Sequence, residues 1–127
     1  MRNKWDDKKP TVQMLGRWQP WHDGHQALFE RALAKTGQVC IMVRDVEGTD
    51  DSNPFEYPTV RNRIITALGK KGYMHGSEYI VQLVPNIVNI TYGRAVGYTI
   101  EQEVFDEATH AISATAVRDQ MKKDGLL

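Results

Sequence analysis

The chain has 127 residues, 41% of them hydrophobic and 25% charged, which is an ordinary globular composition of about one domain at roughly 100–200 residues per domain. Sixteen basic residues against sixteen acidic ones leave no formal charge, which argues against a sequence-independent nucleic-acid binder or a polybasic membrane anchor. The single cysteine, Cys40, excludes an internal disulfide and a multi-cysteine zinc site.

Residues 1–10, MRNKWDDKKP, read as a polar N-terminal arm ahead of one domain over 11–127. No apolar segment follows this charged start, and no run nears the ~20 residues that span a bilayer. A cytoplasmic protein without membrane or nucleic-acid partners is expected. Residues 11–16 alternate Val12 and Met14 with polar neighbours and stop at Gly16, which predicts a short strand. From His22 the spacing turns helical: His25, Leu28, Phe29, Ala32 and Leu33 share a face, and Gly37 is a natural terminator. Residues 39–43, VCIMV, are continuously apolar, as in a strand covered on both faces. Cys40 within them reads as an inert core residue.

Residues 44–57 are polar and read as a long loop, whose DDSN run is a solvated stretch or a closing one. A second helix is predicted from Pro58 and Thr59, with Thr59 as N-cap, Val60, Ile64, Ala67 and Leu68 inward, and Gly69 or Gly72 at its end. Tyr79–Val84 is the next strand, stopped by Pro85, and 87–91 is a candidate fourth. Residues 98–105 fit either a short helix or irregular structure. Ala111 and Ile112 read as the end of a last strand before a closing helix over 113–123. Strands alternating with helices predict an α/β fold, a Rossmann-like three-layer sandwich with a mostly parallel sheet and right-handed crossovers.

GRWQPWHDGH, residues 16–25, lies where the first strand gives way to the first helix. Ligands collect at the carboxyl ends of parallel strands, and a helix N-terminus there offers unpaired N–H groups to phosphate. His22 and His25 are three apart and share a face, and Gly24 lets an anion approach the backbone. Two imidazoles and bare amides therefore suit one anion. Metal ligation and a merely polar helix start are the competing readings, although no carboxylate or thiol completes an obvious metal set. Trp18 and Trp21 either stack on a base or pack beneath the loop. ISATAVR, residues 112–118, offers a second phosphate-shaped helix start: Ser113 or Thr115 caps and donates, and Arg118 adds a forked cation. A capped helix with a solvated arginine is the plain alternative. Arg94 in YGRAVGY fits a ligand contact or a surface turn, and Arg44 and Asp45 follow the second strand at the ligand-collecting end. His75 and His110 read as solvent-facing.

GRWQPWHDGH resembles the HxGH signature of the nucleotidyltransferase superfamily, also called cytidylyltransferase-like, and in its GRxQPxHxGH form it is most similar to archaeal-type nicotinamide-mononucleotide adenylyltransferases. ISATAVR resembles the ISxTxxR signature, with Ser113, Thr115 and Arg118 in the matching places, and NPF at 53–55 followed by Arg61 is similar to the adenylyltransferase pattern. In length the chain is nearest to the glycerol-3-phosphate cytidylyltransferases, but Ala108 stands where their RTxGIST motif has arginine, so the choice between ATP and CTP stays open. The resemblance implies a nucleoside triphosphate between the first and last helices, accompanied by Mg²⁺. It implies His22, His25 and Arg118 as catalytic contacts on the phosphates. Gly16, Arg17, Trp18, Gln19, Gly24, Arg94, Ser113 and Thr115 would line the nucleotide. The implied reaction transfers a nucleoside monophosphate from ATP or CTP to a small phosphorylated acceptor and releases pyrophosphate. A catalytically silent nucleotide sensor or assembly module and a sulfate adenylyltransferase-like enzyme are the alternatives, and a homo-oligomer is left open.

Overall fold

A computed structural model describes residues 4–46, 49–94, 97–103 and 113–127. The elements run β1 (Val12–Gly16), α1 (Asp23–Thr36), β2 (Val39–Arg44), α2 (Tyr57–Lys70), β3 (Tyr79–Val84) and α3 (Ala114–Lys123). The three strands form one parallel sheet in the order β1-β2-β3, with Val12 opposite Val39 and Val39 opposite Tyr79. Two successive strand–helix–strand units account for the parallel pairing, because a parallel neighbour is reached only through a crossover.

The register divides the sheet into two unlike faces. Met14, Val39, Ile41, Val43, Tyr79 and Val81 lie on one face. They share a single core with Phe29 and Ala32 of α1 and Val60, Ile64 and Leu68 of α2. Their spacing of three and four along each helix is what lets those side chains reach one sheet. The opposite face carries Gln13, Cys40 and Gln82, and the Cys40 thiol donates to Gln82 Oε1 at 3.6 Å. VCIMV is thus fully buried on its odd-numbered side, while on the other Cys40 is buried and Met42 half-buried. The described residues show an α/β fold built on a parallel sheet, with both crossover helices sharing the core of one face.

Local signals explain most element ends. Gly37 closes α1 in the left-handed region, φ +84°, and returns its N–H to the Leu33 carbonyl. Helix α2 begins before Thr59: Glu56 is the N-cap residue and Pro58 sits in the first turn, where its missing N–H costs nothing. Residues 87–91 form no strand, and 98–103 form neither helix nor strand. The remainder of 98–105, the expected strand end at Ala111 and Ile112, and His110 lie outside the described residues. His75 is packed rather than solvent-facing: its Nε2 accepts the Val81 N–H at 3.2 Å and its ring lies edge-on to Tyr79.

The arm is tied down from residue 5 onward. Trp5 donates its backbone N–H to the Gly76 carbonyl, and the buried Gln38 amide donates to the Asp6 carbonyl and to Thr11 Oγ1. No helix among the described residues is long and apolar enough to cross a membrane.

Candidate functional site

The site is built at the carboxyl end of β1. Gly16 ends that strand beneath the Trp18 indole, and a Cβ there would stand 2.8 Å from an indole carbon. Trp18 itself holds a left-handed φ of +54°, uncommon for any residue with a side chain. Its ring is 7% exposed and its indole N–H is bonded to the Met42 carbonyl at 3.0 Å. Trp18 and the buried Trp21 form a floor on which the His25 ring rests, at 4.8 Å and 5.4 Å between centroids.

His22 is the N-cap of α1, and the two imidazoles lie stacked, 3.6 Å apart and 16° from parallel. His22 Nδ1 accepts from the backbone N–H groups of Gly24 (3.1 Å) and His25 (3.4 Å), while His25 Nδ1 accepts from the His22 N–H (3.2 Å). This corrects the expectation of bare amides, since the His22 ring takes them. A nitrogen that accepts carries no proton, so each neutral ring has its hydrogen on Nε2. Burial holds His25 down to about 3, and the neighbouring His22 adds to the shift. Burial also lowers His22, with Asp23 and a backbone hydrogen bond pulling the other way. The pair is therefore neutral at neutral pH. Each ring accepts from the helix backbone on Nδ1, which leaves Nε2–H as its donor and polarises it.

The second signature arrives at the same loop. Ser113 caps α3, its Oγ accepting from the Ala116 N–H at 3.1 Å. Arg118, 9% exposed, donates through one terminal nitrogen to the Gln19 carbonyl (2.7 Å) and through the other to Thr115 Oγ1 (3.2 Å). Gln19 stands three residues before His22, so this bond draws the first turns of α3 onto the loop that ends in the histidine pair.

Other expected residues fall elsewhere. The Gln19 side chain is occupied by the backbone of Phe55, with which it makes two hydrogen bonds. Arg17 is exposed and lowers the Asp50 carboxyl, which the Asn53 and Ser52 N–H groups lower more. Arg94 is exposed in a bend. Arg61 is felt by His75 and Tyr79, at the foot of β3.

A cleft of about 190 Å³ opens beside the loop, at the carboxyl ends of β2 and β3. Its walls include Gln19, Arg44, Asp45, Phe55, Tyr57 and Leu83. Arg44 donates to Asn86 Oδ1 at 3.1 Å, and its Nε is buried without a partner. The Arg63 guanidinium covers the Phe55 ring at 4.6 Å from the centroid. Sequence reading marked Arg44 and Asp45 by position but missed the wall formed by Phe55 and Tyr57. NPF at 53–55 was the signal available for it.

Among the described residues no three His, Cys, Asp or Glu side chains converge as a metal site. Comparison with known protein families and with characterised proteins gives no match.

Proposed function

We propose that the chain is a nucleotidyltransferase that moves a nucleoside monophosphate from ATP or CTP to a small phosphorylated acceptor. The observation that carries the reading is the hydrogen bond from Arg118 to the Gln19 carbonyl, 99 residues apart in sequence, which joins two phosphate-shaped helix starts. The Nε2–H groups of the stacked histidines and the forked Arg118 form a donor set for one polyanionic tail. Its approach would favour protonation of the imidazoles, since a nearby negative charge stabilises their cationic form.

An acceptor phosphate oxygen attacks the α-phosphorus in line, the bond from that phosphorus to the bridging oxygen breaks, and pyrophosphate leaves with the electron pair. A phosphate monoester, with its second pKa near ~6, is already largely dianionic and needs no strong base. The contribution of the protein is then placement and charge stabilisation. The acceptor would occupy the cleft at Arg44 and Phe55. At about 190 Å³ it is below the ~300–1,000 Å³ of sites for drug-sized ligands, so it suits a body no larger than a ring or short polyol. Mg²⁺ would travel with the nucleotide, since it is commonly held by substrate phosphates and water, and the described residues form no cage of their own for it.

The test is pyrophosphate release from ATP and from CTP across a panel of phosphorylated metabolites, with sulfate as one arm. Release with a phosphorylated acceptor supports the reading. Nucleotide binding without release assigns a sensor instead, and sulfate-dependent release assigns the other enzyme class.

A further inference from the structure

One buried residue holds both halves of the site. Gln19 is 5% exposed, and its side-chain amide clamps the Phe55 backbone at both ends. Nε2 donates to the Phe55 carbonyl at 2.8 Å, and Oε1 accepts the Phe55 N–H at 2.9 Å. Its own carbonyl accepts from Arg118 at 2.7 Å. Gln19 and Phe55 are walls of the cleft. These bonds take half of what the amide can make and hold it flat against Phe55, and with so little of the residue exposed its contribution passes through its neighbours.

We propose, resting on the phosphate reading of Arg118 above, that Gln19 is a positioning residue that couples the two subsites. A polyanion seated on Arg118 alters how firmly the Phe55 wall of the cleft is held. Two of the five guanidinium N–H groups are committed within the protein, to the Gln19 carbonyl and to Thr115 Oγ1. Three remain for a phosphate oxygen, whose stronger, charge-assisted bonds draw the guanidinium toward the anion. The bond to the neutral carbonyl therefore weakens or turns. That carbonyl sits in a run, residues 18–21, whose side chains are all buried. Close-packed surroundings pass a displacement on instead of absorbing it, and the clamp is the nearest route to Phe55.

The test uses the full chain, isotope-labelled for NMR, with inorganic tripolyphosphate as the probe and thermal shift as an independent reading of binding. In the unaltered protein, saturating tripolyphosphate is expected to change hydrogen exchange at the Phe55 amide by about fivefold or more, the lower end of ordinary site-to-site coupling. Gln19→Met keeps the bulk of the side chain but neither clamp bond. It is expected to bind tripolyphosphate with no such response. If that variant does not fold, Gln19→Leu, which likewise makes neither clamp bond, is expected to bind tripolyphosphate without the response. Bound tripolyphosphate with unchanged Phe55 exchange in the unaltered protein overturns the coupling alone, as does a response that survives in either variant. No tripolyphosphate binding overturns the coupling and the phosphate reading together.

Discussion

Acid should loosen this fold through one imidazole. His25 lies against two tryptophans and under His22, and its proton affinity in the folded state has fallen from 6.5 to about 3. Above 6.5 the ring is neutral whether the chain is folded or not, so its contribution is intact. As pH drops below 6.5 the unfolded chain takes up a proton that the folded one refuses, and stability is lost until the folded value is reached. Each pH unit in that window removes about 1.4 kcal/mol, so roughly 2 kcal/mol is gone near a pH of about 5. For a domain of this size that lowers the melting temperature by about 6–10 °C. The assay is urea unfolding followed by tryptophan fluorescence at neutral pH and near pH ~5, on the unaltered chain and on His25→Gln. Glutamine keeps an acceptor for the His22 N–H and cannot titrate. Carboxylates lower stability in acid in both proteins, so the difference between the two profiles isolates His25. Profiles that run parallel within about 0.5 kcal/mol, the usual spread for a neutral surface change, would show that the ring titrates normally and is not seated on its aromatic floor.

Gly16→Ala should destabilise the fold by about 1–3 kcal/mol, the usual cost of overpacking, because its Cβ meets the Trp18 indole; the same urea titration measures it. His22→Ala should remove about 1 kcal/mol with the lost cap and should lower pyrophosphate release by on the order of 10²–10³. Near-normal release would refute the role of the pair. Ser113→Ala should cost about 1 kcal/mol through the Ala116 N–H left uncapped. Tripolyphosphate at about 100 times its dissociation constant should raise stability by ~2.7 kcal/mol, visible as a higher melting temperature, and an unchanged one refutes the anion site.

Periodicity made α1 legible down to Gly37, and the apolar run of β2 placed its strand, because both signals are local. The helix starts at His22 and Ser113 were legible for the same reason: each is a short pattern at one helix end. Where three-dimensional contact decides, the sequence is quiet. Residues 87–91 alternate like a strand, yet among the described residues none pairs with them, and a strand exists only with a neighbour. Thr59 has the chemistry of a cap, but Pro58 fits the first turn, and the helix starts before it. That His22 would fold over its own helix start depends on a side-chain rotation, which composition does not encode. The Gln19–Phe55 clamp spans 36 residues and joins a side chain to backbone, so neither residue type announces it.

The two unlike faces of the sheet set how the strands would tolerate change. Replacement of Val39, Ile41 or Tyr79 with a hydrophilic residue strands a polar group among α1 and α2, whereas Gln13 and Gln82 are hydrophilic already. A saturation library over β1, β2 and β3 would therefore be least tolerant at Val39, Ile41 and Tyr79 and most permissive at Gln13 and Gln82, with Cys40 and Val84 between them. That gradient would be the imprint of an interior packed mainly on one side.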